Sequence, residues 1–371
     1  MSNKRPFDGS HHDVDQSRRK VKKEEPQSRS VSPNTTNIDP DGDLILHDGP
    51  RDFRVCSRAM WRASKVFKAA PFKERKPDSV SNEPWIVSLP EDDPDAFEIV
   101  LNVVHGLISP VKVPPSPPLE WIPEILNVAD KYSITEALHP WLSGWMDVAI
   151  EVVKEPSPST SALFVANEVA WHMGNDTLLD RTVNRLAFTA RINKQTGQLL
   201  DHEGTVLSHY ASYFGQDDIV DVIACQRSRF LQFQLQSFHY RLRSYADTTR
   251  SPCRTGSMEC GRHIGANILY NIVRTGCGTP PFTKDWGKIS CSAETLMKKL
   301  DDMFLVEDLP LHSCWREQTK QRREGIRVGF QILTKSVGFL QEPAAKSQLE
   351  NNRRKFGIAS IADGWARIPA L

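Results

Sequence analysis

The amino-acid sequence predicts an α+β fold, in which a small sheet with packed helices is followed by a mostly α-helical C-terminal region. Two short apolar runs, residues 44–46 and 53–55, flank turn-forming residues at 48–50, and this pattern predicts a β-hairpin. Alternating apolar residues at 85–89 predict a third strand. Beyond residue 93, apolar residues recur mainly at helical spacing, so helices should form the rest of the fold.

The first helix is expected to begin at Ser57, which stands where an N-cap belongs. Met60, Ala63, Ser64 and Phe67 follow at helical spacing and predict one modest apolar face.

The next helix has clear start and stop signals. Asp93 offers a capping carboxylate, and Pro94 suits the first helical position because its missing N–H has no helical partner there. Gly106 should end this helix, and two further helical stripes follow at 122–129 and 134–145.

Residues 156–245 also read as helical. Thr160 or Ser161 can cap one segment that stops near Gly174, and further segments begin at Asp176 and Asp217. Aromatic and basic residues alternate at 227–243, a composition that can stack on and neutralise nucleic acid. At helical spacing, the same residues are expected to pack their rings inward and to leave the arginines in solvent.

Five segments are therefore predicted along the chain. They are a disordered basic tail at 1–38, an α+β domain at 39–147, a helical region at 148–250, a helical C-terminal region at 251–340 and a loose tail at 341–371.

Composition narrows the function classes. The 371 residues are 39% hydrophobic and 25% charged, which is typical of a soluble protein with two or three domains. A net charge of +1 provides no chain-wide field that would attract nucleic acid, and no apolar stretch is long enough for a membrane span. Without a secretory signal, the seven cysteines are expected to be reduced thiols in the nucleus or cytoplasm.

Two basic clusters in the N-terminal tail have the layout of a bipartite nuclear localisation signal, with a solubilising basic tail as the alternative. The residues concerned are Lys4, Arg5, Arg18, Arg19, Lys20, Lys22 and Lys23. A short basic run at 351–355 is too small to count as a second basic arm.

Several short motifs between residues 41 and 145 together resemble the BTB/POZ domain of fungal proteins. The motifs are Asp41-Gly42-Asp43, Val55 with Ser57, Ser64-Lys65-Val66-Phe67, Leu89-Pro90 with Asp92-Asp93-Pro94-Asp95-Ala96-Phe97, His105-Gly106 and Ala129-Asp130-Lys131-Tyr132. Lys65 departs from the proline that is usual there, near surfaces where partners are chosen. The resemblance implies a protein-binding scaffold that forms homo- or hetero-dimers, with residues 44–67 as the contact.

No catalytic motif accompanies this domain, and we predict a non-enzymatic protein without cofactor or metal site. One alternative is a cullin-type ubiquitin ligase adaptor, because Phe72 and Glu74 resemble the motif with which some BTB adaptors hold a cullin. A second is a zinc-containing transcriptional regulator, in which Cys253, Cys260, His312 and Cys314 would bind zinc. Their spacing lacks a tight C-x2-C pair, and buried thiols explain the cysteines equally well.

Overall fold

The computed structural model of the chain describes residues 35–49, 51–69, 85–89, 92–213, 218–246, 257–274, 289–303 and 343–358. These residues form an α+β fold with a small sheet and a larger body of helices, as the sequence predicts. In this part of the chain, no helix combines the length and apolar character that a membrane span needs.

Four short strands form the sheet. They are β1 Thr35–Asn37, β2 Leu44–Asp48, β3 Arg51–Val55 and β4 Trp85–Ser88. The strand order is β1-β3-β2-β4, and β2 pairs antiparallel with β3 and parallel with β4. The predicted hairpin and third strand are therefore confirmed. Gly49 makes the hairpin turn possible because its φ of 53° lies in the left-handed region.

Strand β1 corrects the prediction that residues 1–38 are disordered throughout. Thr35, Thr36 and Asn37 pair in parallel with β3, and Ile38 is buried in the core. The polar composition of this segment hides the strand, because its stability depends on backbone pairing with residues 52–54.

Among the described residues, five α-helices and one 3₁₀ helix complete the N-terminal unit. They are α1 Ser57–Ala63, α2 Lys65–Lys68, α3 Pro94–Val104, α4 Trp121–Lys131, the 3₁₀ helix Thr135–Leu138 and α5 His139–Lys154. The signals predicted for α3 are confirmed: the Asp93 carboxylate accepts the Ala96 N–H at 2.8 Å, and Gly106 follows the helix with φ 72°.

The predicted first helix is divided at Ser64, and its predicted N-cap is wrong. Cys56 occupies the N-cap position, and Ser57 is the first helical residue. Both the backbone N–H and the hydroxyl of Ser57 donate to the Asp43 carboxylate at 2.8 Å. A carboxylate 14 residues upstream therefore satisfies the helix start from outside.

The remaining helices form the body of the molecule. They are α6 Thr160–His172, α7 Asp176–Thr189, α8 Leu207–Tyr213, α9 Ile219–Ala246, α10 Met258–Arg274, α11 Ala293–Met303 and α12 Pro343–Lys355. A hairpin whose two strands have two residues each, β5 Arg191–Ile192 and β6 Leu199–Leu200, lies between α7 and α8. Ser159 caps α6 instead of the predicted Thr160 or Ser161, and Gly174 ends it with φ 66°.

The sheet and the helical body share one hydrophobic core. Fully buried side chains run from Phe53 in the sheet through Trp145 in α5 to Phe164 in α6 and Phe230 in α9. The predicted boundary between residues 147 and 148 lies inside α5. Apolar residues continue along α5 on both sides of that boundary, so the N-terminal unit is built into the helical body.

The pattern predicted for the aromatic and basic stretch of α9 holds only in part. Phe230 and Phe238 are buried and Arg229 is exposed, as predicted. Tyr240, however, is 79% exposed and Arg227 is only 1% exposed. The prediction that the rings pack inward and the arginines stay in solvent is therefore wrong for these two residues.

Three backbone carbonyls explain how a cation can be buried at Arg227. Its guanidinium donates to the carbonyl oxygens of Ala190 at 3.0 Å, Ile289 at 2.5 Å and Cys291 at 2.7 Å. Burial lowers the pKa of Arg227 to about 10. The side chain links the end of α7 to the segment that precedes α11.

Helix α12 corrects the prediction of a loose tail at 341–371. Residues 343–355 are helical, and Ala345, Leu349 and Phe356 are buried. The sequence there is polar because only one narrow face of this helix is covered.

Candidate interaction surface

The residues that carry the BTB/POZ resemblance lie inside the N-terminal unit and hold it together. The Asp43 carboxylate receives the Ser57 N–H and hydroxyl, so the turn before β2 is fastened to the start of α1. His105 has a similar role at the end of α3. Its Nε2 accepts the Cys56 N–H at 3.0 Å, while Nδ1 donates to the Leu101 carbonyl at 2.8 Å.

A second group of these residues joins α2, α3 and α4. Ser64 Oγ accepts the Phe67 N–H and donates to the Tyr132 carbonyl. The Tyr132 hydroxyl donates to Asp92 at 2.7 Å, and Lys131 pairs with the same carboxylate at 2.6 Å. Burial and the hydrogen bond to Asp92 raise the pKa of Tyr132 well above its usual value.

Asp48 ends strand β2 and completes this network from the sheet. Its Oδ1 accepts the Asp92 N–H at 3.0 Å, while its fully buried Oδ2 has no hydrogen-bond partner in the described part of the chain. Burial raises the pKa of Asp48. These hydrogen-bonded residues therefore stabilise the fold of the N-terminal unit.

A solvent-exposed cleft lies between the N-terminal unit and α12. The cleft measures about 1000 Å³ and is bordered by α1, α2, the end of α4, the 3₁₀ helix and the last turn of α12. Its lining residues are Cys56, Arg58, Trp61, Arg62, Ala63, Ser64, Lys65, Lys68, Asp130, Ser133, Thr135, Glu136, Arg354 and Lys355. Ser133, just after α4, has a φ of 53°, a backbone conformation that serine seldom adopts.

Positive charge dominates the lining of this cleft, hereafter the basic cleft. Six lysines and arginines face two carboxylates, an excess of four positive charges in a chain whose net charge is +1. Lys355 pairs with Asp130 at 2.8 Å. In the described part of the chain, the other five cations form no ion pair, and all five are exposed. They are Arg58, Arg62, Lys65, Lys68 and Arg354.

Helix α12 is held in place by hydrogen bonds to residues about 180 to 220 positions earlier in the chain. The Thr135 hydroxyl donates to the Lys355 carbonyl at 2.6 Å, and the Asn352 amide donates to the Trp171 carbonyl at 2.9 Å. The Arg353 guanidinium donates to the Gly174 carbonyl at 2.7 Å. A Cβ atom at Gly174 would lie 2.5 Å from the Leu349 carbonyl oxygen, so this glycine allows the helix to approach closely.

The sequence prediction missed part of this site. Arg354 and Lys355 belong to the basic run at 351–355 that is too short to count as a second basic arm, and both line the cleft together with residues of α1 and α2. Lys65, the departure from the usual proline, also lines the cleft. The signal available in the sequence was the clustering of Arg58, Arg62, Lys65 and Lys68, which places one pair of cations four residues apart and another pair three residues apart.

Strand β2, part of the predicted contact at 44–67, cannot add a partner strand. It lies between β3 and β4, so both of its backbone edges are paired. Among the described residues, only the α1–α2 half of that predicted contact offers an exposed surface.

Most of the other predicted sites lie outside the described residues. Phe72 and Glu74 are among them, as are all the basic residues of the nuclear localisation signal, including Arg18 and Lys20. Of the four zinc ligands, only Cys260, on α10, is described. In the described part of the chain, no group of three or more histidine, cysteine or acidic side chains is placed to hold a metal. The cullin, nuclear and zinc hypotheses therefore stay predictions.

Comparisons of the chain with known protein families, curated proteins and solved structures find no match.

Proposed function

We propose that this chain is a non-enzymatic protein–protein interaction scaffold that acts in the nucleus and binds partners through a BTB/POZ-like N-terminal unit. The order of elements supports the proposal, since a hairpin, two short helices, a strand and three helices agree with what the resemblance implies. Its motif residues also contact one another within that unit.

The observation that carries the proposal is the outer face of α1 and α2. Trp61 and Val66 are only partly buried there, among four exposed cations that form no ion pair in the described part of the chain. Aromatic and arginine side chains are enriched at protein interfaces, where they combine large contact area with charge-assisted hydrogen bonds. The resemblance points to this same segment as the contact.

A point substitution tests this better than removal of the domain. Deletion of residues 39–147 would expose the shared core, so loss of a partner could reflect unfolding. Val66→Arg changes the outer face of α2, and Val111→Arg is the matched control, because Val111 is 93% exposed on the loop between α3 and α4. Circular dichroism of both variants checks that the fold is retained.

The tagged full-length chain would be purified from its own cells and its mass measured by light scattering. We expect a stoichiometric protein partner, lost on Val66→Arg and retained on Val111→Arg. A mass of 42.0 kDa, that of one chain, with no associated protein would overturn the proposal. The nuclear part is tested separately by fluorescence microscopy after replacement of Arg18, Arg19 and Lys20 by alanine, which should abolish nuclear accumulation.

A further inference from the structure

We propose that the basic cleft binds an acidic protein segment, rich in aspartate, glutamate or phosphorylated residues. This inference rests on the proposed scaffold function, since it specifies the chemistry of the partner. It begins from the crowding of like charges in the lining. Arg58 and Arg62 are four residues apart, and Lys65 and Lys68 are three apart, so neighbouring cations on one face repel each other.

The molecule does not neutralise this charge with its own described residues. Asp130 is paired with Lys355, which leaves Glu136 as the second carboxylate in the lining. A ligand that brings several carboxylates or a phosphate would form charge-assisted hydrogen bonds with arginines on two sides of the cleft. Arg58 and Arg62 lie on α1, and Arg354 lines the same cleft from α12.

Charge also argues against a second copy of this chain as the occupant. A symmetric pairing through α1 and α2 would bring two sets of four cations together, and like charges in an interface oppose association. An acidic segment reverses the sign of that interaction and draws on the same field to increase its association rate.

The shape and lining favour a peptide over nucleic acid. Among the described residues, the six cations line one cleft of about 1000 Å³, a volume suited to a few residues, whereas a nucleic-acid strand needs a groove that follows several phosphates. Trp61 and Ala63 provide apolar surface within the same lining, where an apolar side chain of the segment can pack.

Fluorescence anisotropy of the full-length chain tests the proposal with three probes. The first is a labelled decapeptide of glutamate and serine with one central leucine; the second replaces every glutamate by glutamine; the third is a single-stranded oligo-dT of equal length. We expect the acidic peptide to bind, its affinity to fall as salt rises from about 50 to about 500 mM, and the glutamine peptide not to bind.

Charge reversal locates the site. Arg58→Glu, Arg62→Glu and Lys65→Glu combined should weaken binding of the acidic peptide by roughly thirtyfold or more, since each pair contributes modestly and the reversed charges repel. The matched control reverses Lys112, Lys194 and Arg229, three exposed cations outside the cleft, and should change the affinity less than about threefold. Arg354→Glu alone should weaken binding about fivefold.

Three results would overturn the inference: no binding of the acidic peptide, equal weakening by the control triple variant, or tighter binding of the oligonucleotide with the same dependence on Arg58 and Arg62. An unchanged affinity for Arg354→Glu would also overturn it, because the site would not then include α12. If the acidic peptide fails to bind but the chain still purifies with a partner, the scaffold function stands and this inference falls. If the peptide binds but the chain purifies alone, the ligand chemistry of the cleft is supported and the scaffold function falls.

Discussion

Replacement of Arg227 by methionine should destabilise the whole molecule, although the substitution removes a buried charge. Methionine has a similar length and fills the site without a donor, so the carbonyls of Ala190, Ile289 and Cys291 lose their shared partner. Two of these carbonyls belong to the segment that leads into α11, and the third ends α7. The cation also lies at the negative end of the α7 dipole.

The expected magnitude follows from two opposing contributions. Three hydrogen bonds from a charged donor, at about 1.5–3 kcal/mol each, stabilise the native state by roughly 4–9 kcal/mol. Lowering the pKa of Arg227 from 12.5 to about 10 means that burial makes the charged form about 3 kcal/mol less favourable, and methionine recovers this amount. We therefore expect a net loss of about 3 kcal/mol, or a Tm lower by roughly 5 °C.

Urea denaturation followed by far-ultraviolet circular dichroism measures this loss. Arg229→Met is the matched control, since Arg229 is exposed two residues further along α9, and it should change the free energy of unfolding by less than about 0.5 kcal/mol. Equal stability of the two variants would refute the reasoning, because the guanidinium would then contribute nothing net between α7 and α11. Arg227→Lys should lie between them, because one ammonium cannot span three carbonyls.

Three further substitutions test other contacts. Asp48→Asn should raise the free energy of unfolding at pH 7, because a carboxyl whose pKa is raised in the folded state destabilises that state as pH rises through the folded-state pKa. The gain should vanish near pH 3, where Asp48 is protonated in both the folded and the unfolded state. An equal gain at both pH values in urea titrations would contradict this reasoning. Ser133→Gly should stabilise by up to about 1 kcal/mol in thermal melts, since glycine adopts φ 53° freely, whereas no change or a loss would show that the serine side chain compensates for its strained backbone. Gly174→Ala should destabilise the fold by about 2 kcal/mol more than Gly106→Ala and should make α12 accessible to protease. The two glycines have similar φ values, but of the two only Gly174 lacks room for a Cβ atom. Equal losses of stability would mean that α12 is not held at Gly174.

Local chemistry explains which parts of the fold were predictable. The hairpin, the third strand and the ends of α3 depend on residues within a few positions of one another, such as Asp93 with Ala96 and Gly106 after Val104. The position of Ser57 was misread because its partner, Asp43, lies 14 residues upstream and removes the need for a side-chain cap. Arg227 was misread because its three carbonyl partners lie 37 to 64 residues away.

Only part of the basic cleft could be predicted from the sequence. Four of its cations lie close together in the sequence between residues 58 and 68, but Arg354 reaches the site through contacts between α12 and residues about 180 to 220 positions earlier. The periodicity of a polar helix contains no information about the distant surface that covers it. The sequence therefore predicts the cations of α1 and α2 but not their proximity to Arg354 and Lys355.

The positions of the cleft residues along the chain also set the order in which they are synthesised. During synthesis, Arg58 and Arg62 emerge early and can fold with the sheet, whereas Arg354 is added almost 300 residues later. A nascent chain that lacks α12 therefore presents the α1–α2 cations alone. The cleft takes its described form only after Arg354 and Lys355 have been synthesised.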